Sequence, residues 1–182
     1  MKIKEHLANK GLDNLPPNSN GKPFIYKKLY ESLINKFQLD ALSAIGNPGH
    51  KLRTYALLKN EIGRENYLDV IRNVPIRTQL TKFRLSDHNL EIEKGRHRGV
   101  GAELRFCPFC KNKVENEAHF LIGCPTYEDL REEEPVFQSL NPGVSEIEKF
   151  VFLMSNGQQI APSIHKLFEL RNFLLSLPKR TN

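Results

Sequence analysis

Three cysteines and one histidine stand close together near the middle of the chain: Cys107-Pro108-Phe109-Cys110, then eight residues, His119, four residues, and Cys124. Two thiolates separated by two residues can chelate one ion from a tight turn. A nearby imidazole and a third thiolate complete the four soft or borderline ligands that tetrahedral Zn2+ prefers. Four protein ligands leave no open coordination position, so the expected cofactor is one structural zinc ion and not a catalytic one. Such an ion supplies about 10 kcal/mol or more of folding free energy. All three cysteines of the chain fall within these 18 residues. A disulfide framework would leave one of them unpaired, and a redox Cys-x-x-Cys needs a thioredoxin-like βαβ context that is absent. Buried cysteines without a ligand are the bland alternative. His88 and His97 lie near the motif, but loop histidines of this kind are expected to face solvent or to be hydrogen-bonded. His6, His50 and His165 belong to no recognisable constellation.

The elements around the motif must bring these four side chains together. Residues 115–122 read as a short helix carrying His119, Gly123 suits a left-handed helix end, and Pro125 blocks continuation, so Cys124 is expected to turn back towards the other ligands. Upstream, residues 1–23 contain Pro16-Pro17-Asn18-Ser19-Asn20-Gly21 and read as a flexible lead-in. Ile25, Leu29, Leu33 and Phe37 recur at helical spacing, which predicts a helix from Phe24 to about Ala44, stopped by Gly46-Asn47-Pro48-Gly49. Leu52, Tyr55, Leu58 and Ile62 mark a second helix closed by Gly63. Tyr67, Val70 and Ile71 mark a third, ending before Pro75, and Ile76, Leu80 and Phe83 a fourth. From Ser86 to Gly101 the helical period fades, and Leu90, Ile92 and Gly95-Arg96-His97-Arg98-Gly99 read as a short extended piece and an exposed loop. Beyond the motif, Tyr127 to Leu140 reads as an acidic helix broken near Pro135. Asn141-Pro142-Gly143 is a turn. Ile147, Phe150, Val151 and Met154 start another helix, and Ile160 to Leu175 form the last apolar stripe. The predicted class is mostly α: a helical domain with an irregular central segment organised around one CCHC zinc knuckle. Its parts are 1–23 (lead-in), 24–85 (helical), 86–126 (basic loop and knuckle), 127–178 (C-terminal helices) and 179–182 (tail).

Composition bounds the function. With 182 residues, 39% hydrophobic and 26% charged, the chain suits a soluble globular protein with a modest core. No stretch approaches the roughly 20 apolar residues that cross a bilayer, and no apolar signal segment follows Met1, so an intracellular site, nuclear or cytoplasmic, is expected. The net charge of +6 is unevenly spread. Residues 1–50 carry +3, residues 51–114 carry +7, residues 115–148 carry −8, and residues 149–182 carry +4. A basic block therefore meets an acidic one within the cysteine motif, and the two either pair in the fold or leave a basic face for an anionic partner. Arg77, Lys82 and Arg84, then Lys94, Arg96 and Arg98 with His97, then Arg105, Lys111 and Lys113 could merge into one phosphate-binding patch. Phe106 and Phe109 flank the cysteines, where an aromatic either stacks on an unpaired base or packs the small core around the metal. No GxxxxGK[ST], HExxH or nucleophile elbow occurs, and Glu132-Glu133-Glu134 reads as a solvated face, so no catalytic residue is expected.

Leu80-Thr81-Lys82-Phe83-Arg84-Leu85-Ser86-Asp87-His88-Asn89-Leu90-Glu91-Ile92-Glu93-Lys94-Gly95-Arg96 leads into Arg105-Phe106-Cys107, and Glu117-Ala118-His119-Phe120-Leu121-Ile122-Gly123-Cys124-Pro125 closes the motif. Together these resemble the C-terminal region of non-LTR (LINE-type) retrotransposon reverse transcriptases of invertebrates, which lies downstream of the polymerase and carries a CCHC zinc knuckle. The resemblance covers roughly 52–131 and, more weakly, 149–174. It implies the same four ligands, Cys107, Cys110, His119 and Cys124, a role in holding template RNA or target DNA, and association with the retrotransposon machinery. No Tyr-x-Asp-Asp palm motif is present, so the expectation is a separated, non-catalytic tail that binds RNA or DNA. Neither a membrane nor a small-molecule substrate is expected as a partner. The alternatives are a structural or protein-interaction module in which the acidic segment neutralises the basic one, and a transposon fragment without a selected role.

Overall fold

The computed structural model describes residues 22–45, 51–58 and 63–178. The predicted lead-in up to residue 21, the stop at 46–49, the end of the second helix and the tail 179–182 lie outside these residues. The chain divides between residues 47 and 48 into two compact units. To the first belongs α1, Lys22–Ile45, which meets the helix predicted over Phe24–Ala44.

The second unit is also helical: α2 (Arg53–Leu58), α3 (Tyr67–Val70), α4 (Val74–Arg84), α5 (Glu91–His97), α6 (Glu128–Glu133), α7 (Pro135–Gln138), α8 (Glu146–Ser155) and α9 (Gly157–Ser176). Single 3-10 turns cover Ala102–Leu104 and Pro125–Tyr127, and a π-helical turn covers His119–Gly123. Extended pairing among the described residues is one antiparallel bridge, Phe106 to Val114.

Local chemistry explains most boundaries. The Asn73 side chain accepts the Ile76 N–H at the start of α4, with Pro75 in the first turn, where a missing N–H costs nothing. A reciprocal Ser145–Glu148 capping box starts α8. The break predicted near Pro135 separates α6 from α7.

One expectation is corrected. Residues 91–97, read as extended chain and loop, form α5. The cause is not local: the Glu115 carboxylate, 24 residues away, accepts the Glu91 N–H at 2.7 Å and caps the helix. Gly95 lowers helix propensity, yet a Cβ there would stand 2.5 Å from Arg105 Cγ, so glycine is required by packing.

The core lies where α9 crosses α4. Leu80 and Phe83 of α4 meet Ile160, Ile164, Leu167 and Phe168 of α9, and Phe150, Leu153 and Met154 of α8 join them, all buried. From this core a line of aromatic rings runs outward. Phe83 packs edge-on to Phe168 with centroids 5.9 Å apart, Phe168 lies 4.6 Å from Phe120, Phe120 lies 5.2 Å from Tyr127, and Tyr127 lies 5.9 Å from Phe109. Each pair adds about 0.5–1.5 kcal/mol beyond its burial, so the helical body and the cysteine segment share one hydrophobic core.

Candidate metal centre

The first two cysteines lie on a hairpin. The Cys107 N–H donates to the Lys113 carbonyl at 2.9 Å, the Glu115 N–H to the Arg105 carbonyl at 2.9 Å, and the Lys111 N–H back to the Cys107 carbonyl at 3.1 Å. Closing so tight a turn puts Lys111 at φ 59°, the left-handed region that an L side chain enters at a cost. The third and fourth candidate ligands bracket the π-helical turn. Asn116 Oδ1 accepts the His119 N–H at 2.8 Å, and the Cys124 N–H donates to the His119 carbonyl at 2.7 Å, an i to i+5 bond. The wide turn therefore holds His119 and Cys124 back to back across one hydrogen bond.

Gly123 does not adopt the expected left-handed conformation, since Gly99 alone among the described glycines has positive φ. It is the last residue of the π turn, and its value is room. A Cβ there would lie 3.1 Å from Glu146 Oε1 and 3.4 Å from His119 Nδ1.

The result is a cluster of Cys107, Cys110, His119 and Cys124 whose ligand atoms all lie within 4.8 Å of one another, a group that can hold one metal ion. Cys107 Sγ is 3.8 Å from Cys124 Sγ, and Cys110 Sγ is 3.3 Å from His119 Nε2. Disulfide sulfurs stand about 2.05 Å apart, and all three thiols are free. Cys107, His119 and Cys124 are buried, Cys110 partly so. The hydrogen bond from Cys107 holds the Cys124 thiol far below its ordinary pKa, and that bond, with burial, pushes Cys107 up.

The anchors of this site were not visible in the sequence. Glu115, fully buried, takes a bidentate ion pair from Arg171 at 2.9 and 2.8 Å, tying the hairpin to α9. Glu117 accepts two hydrogen bonds from Arg53 at 3.1 and 2.6 Å, one from Ser86 Oγ at 3.1 Å and one from His88 Nε2 at 2.9 Å. Burial alone would raise its pKa. The hydrogen bond from His88, with the attraction of His88 and Arg53, outweighs that and lowers it to about 2. His88 is thus a hydrogen-bonded histidine, as the sequence suggested, although its side chain is fully buried. Arg131, the one lysine or arginine between residues 115 and 148, donates to the Cys124 carbonyl at 2.5 Å. Each of these partners lies far along the chain or on a side chain with no motif, so spacing could not reveal them.

The proposed phosphate-contacting cations are mostly occupied. Arg84 is a correction: it is 5% exposed, donates to the Met154 carbonyl at 2.9 Å, pairs with Glu65 and lies over the Tyr67 ring, so it caps α8 from within the core. Arg77 donates to the Ile71 and Leu68 carbonyls, and Arg105 to those of Ile92 and Val100. Arg96 pairs with Glu93, and Lys94 and Arg98 with Glu91. Lys82, Lys111 and Lys113 are exposed, and no side-chain partner holds them among the described residues. Phe109 is half-buried against Tyr127, whereas Phe106 is 46% exposed. Glu134 leaves the solvated face predicted for the Glu132–Glu134 run by bonding Ser163 and pairing with Lys166.

Comparison with known protein families, with curated proteins and with solved structures finds no match. No helix of the described residues is long and apolar enough to cross a membrane.

Proposed function

We propose that this chain is a non-catalytic module folded by one structural Zn2+ and that it holds nucleic acid on the hairpin beside the metal. The observation that carries the reading is the four-ligand cluster. Three sulfurs and one nitrogen placed tetrahedrally around zinc are separated by about 3.8 Å between sulfurs and about 3.6 Å between sulfur and nitrogen. The 3.8 and 3.3 Å separations in the cluster are close to those values. A Cys3His set of this softness favours Zn2+ over the oxygen-seeking ions, and its four ligands fill the coordination sphere, so zinc acts here on stability and not on substrate.

The nucleic-acid part rests on the hairpin. Phe106, Lys111 and Lys113 sit within eight residues with exposed side chains, and neither lysine side chain has a hydrogen-bond or ion-pair partner among the described residues. One aromatic plane for base stacking beside two cations for phosphate is the arrangement by which single strands are held. Lys82 is the further exposed candidate on α4. The resemblance to the knuckle region of non-LTR reverse transcriptases supports the same partner, RNA or DNA, in the setting of the retrotransposon machinery. The test is binding of zinc-loaded protein to single-stranded RNA and duplex DNA at rising salt. Substituting Lys111 and Lys113 with alanine is expected to flatten the salt slope by about 0.7–0.9 per lost phosphate contact. No binding at low salt would sink the reading.

A second reading, a structural or protein-interaction module, is favoured by a specific observation. Glu115, Glu117 and Glu134 of the acidic segment are spent on Arg171, Arg53 and Lys166. This internal neutralisation leaves few cations for a phosphate backbone. It gains if the lysine substitutions leave binding unchanged.

A further inference from the structure

His119 faces the cysteines through Nε2, 3.3 Å from Cys110 Sγ, which leaves Nδ1 as its second nitrogen. Nδ1 is buried and has no hydrogen-bond partner. An imidazole that binds a metal through Nε2 carries its proton on Nδ1, and that N–H is almost always given to a carboxylate, a carbonyl or a water. The site therefore calls for an acceptor on the Nδ1 side of the ring, and a carboxylate borders the same space at Gly123. Glu146 Oε1 and His119 Nδ1 lie 3.1 and 3.4 Å from the point that a Cβ on Gly123 would occupy. Glu146 is the first residue of α8, whose start is fixed by the Ser145–Glu148 capping box, and α8 packs on the π turn that carries His119. Its side chain is exposed and makes no hydrogen bond or ion pair among the described residues.

We infer that Glu146 is the positioning residue of the metal-binding histidine. Its carboxylate accepts the Nδ1–H of His119, by rotation of the exposed side chain or through one bridging water, and Gly123 keeps the gap between them open. The inference rests on the metal reading of the cluster and adds to it a fifth residue, 22 positions beyond Cys124, that sets ring orientation and ligand basicity. It also explains why a glycine without left-handed backbone ends the π turn: a methyl group there would fill the space that the contact uses.

The test is a zinc titration of the full chain against a chromogenic chelator, with NMR of the His119 ring in the zinc-loaded protein. Glu146→Ala and Gly123→Ala are expected to weaken zinc binding about 10-fold or more. Glu146→Gln, whose amide oxygen still accepts a hydrogen bond, recovers part of that loss, and Glu128→Ala, an exposed carboxylate on α6, changes nothing. In the wild type the Nδ1 proton exchanges slowly with water, and in Glu146→Ala it exchanges fast. A wild-type chain that takes up zinc while Glu146→Ala binds it equally well and keeps the protected proton overturns this inference alone. A wild-type chain that takes up no zinc overturns the metal reading and this inference with it.

Discussion

Replacing Arg171 with methionine removes the cation from the most deeply buried ion pair of the described residues. Both side chains are fully inaccessible, and two charge-assisted hydrogen bonds of 2.9 and 2.8 Å join them. Methionine matches the aliphatic stem, so the lost packing is small and the electrostatic consequence dominates. Glu115 keeps one hydrogen bond, from the Glu91 N–H, and is otherwise a carboxylate without a counterion in the core. Removing one partner of a buried pair costs about 3–5 kcal/mol, a large share of the 5–15 kcal/mol that holds a typical domain together. The assay is urea denaturation of zinc-loaded protein followed by circular dichroism. Adding Glu115→Leu to the variant restores much of the stability, because an apolar pair replaces a lone charge. A loss below about 1 kcal/mol would refute the view that this pair fastens the hairpin to α9.

Three further outcomes are expected. Cys110→Ser, or a zinc chelator, unfolds at least residues 100–126, seen as lost circular dichroism and new protease cleavage between Gly101 and Thr126; unchanged protease resistance would contradict it. Glu117→Gln lowers stability at neutral pH by roughly 3 kcal/mol, because the native carboxyl pKa of about 2 lies below its ordinary 4.5, and the wild-type advantage present above about pH 4.5 disappears as pH falls through about 2. Acid denaturation of the two proteins measures the difference. Lys111→Gly relieves the left-handed backbone at φ 59° and leaves stability unchanged or raised by up to about 1 kcal/mol, while Lys111→Val lowers it by at least as much; equal midpoints in urea for the two variants would count against the turn geometry.

The sequence made the metal cluster legible because it is local. Four ligands within 18 residues advertise themselves by type and spacing, and the cluster assembles from them. Long periodic helices were legible for the same reason: Leu80 and Phe83 on α4, and Ile160 to Phe168 on α9, show a 3.6-residue stripe that the core buries. Failure came where a distant residue decides the local state. The helical state of α5 depends on a cap supplied by Glu115, and Gly95 concealed it. Arg84 reads as a surface cation on a basic helix, and only the fold shows that α8 ends against it. Glu115 and Glu117 look like part of an acidic run, yet they anchor the motif through Arg171 and Arg53, 56 and 64 positions away. Gly123 reads as a left-handed helix end, yet space and not backbone sign requires it.

The central claim, one structural ion held by Cys107, Cys110, His119 and Cys124, is tested most directly by the metal content of the purified chain. Elemental analysis is expected to find one zinc per chain, with three thiols unreactive until a chelator or denaturant is added, and almost no zinc in Cys110→Ser. A folded, protease-resistant wild-type protein that holds no metal and whose thiols react freely would contradict it.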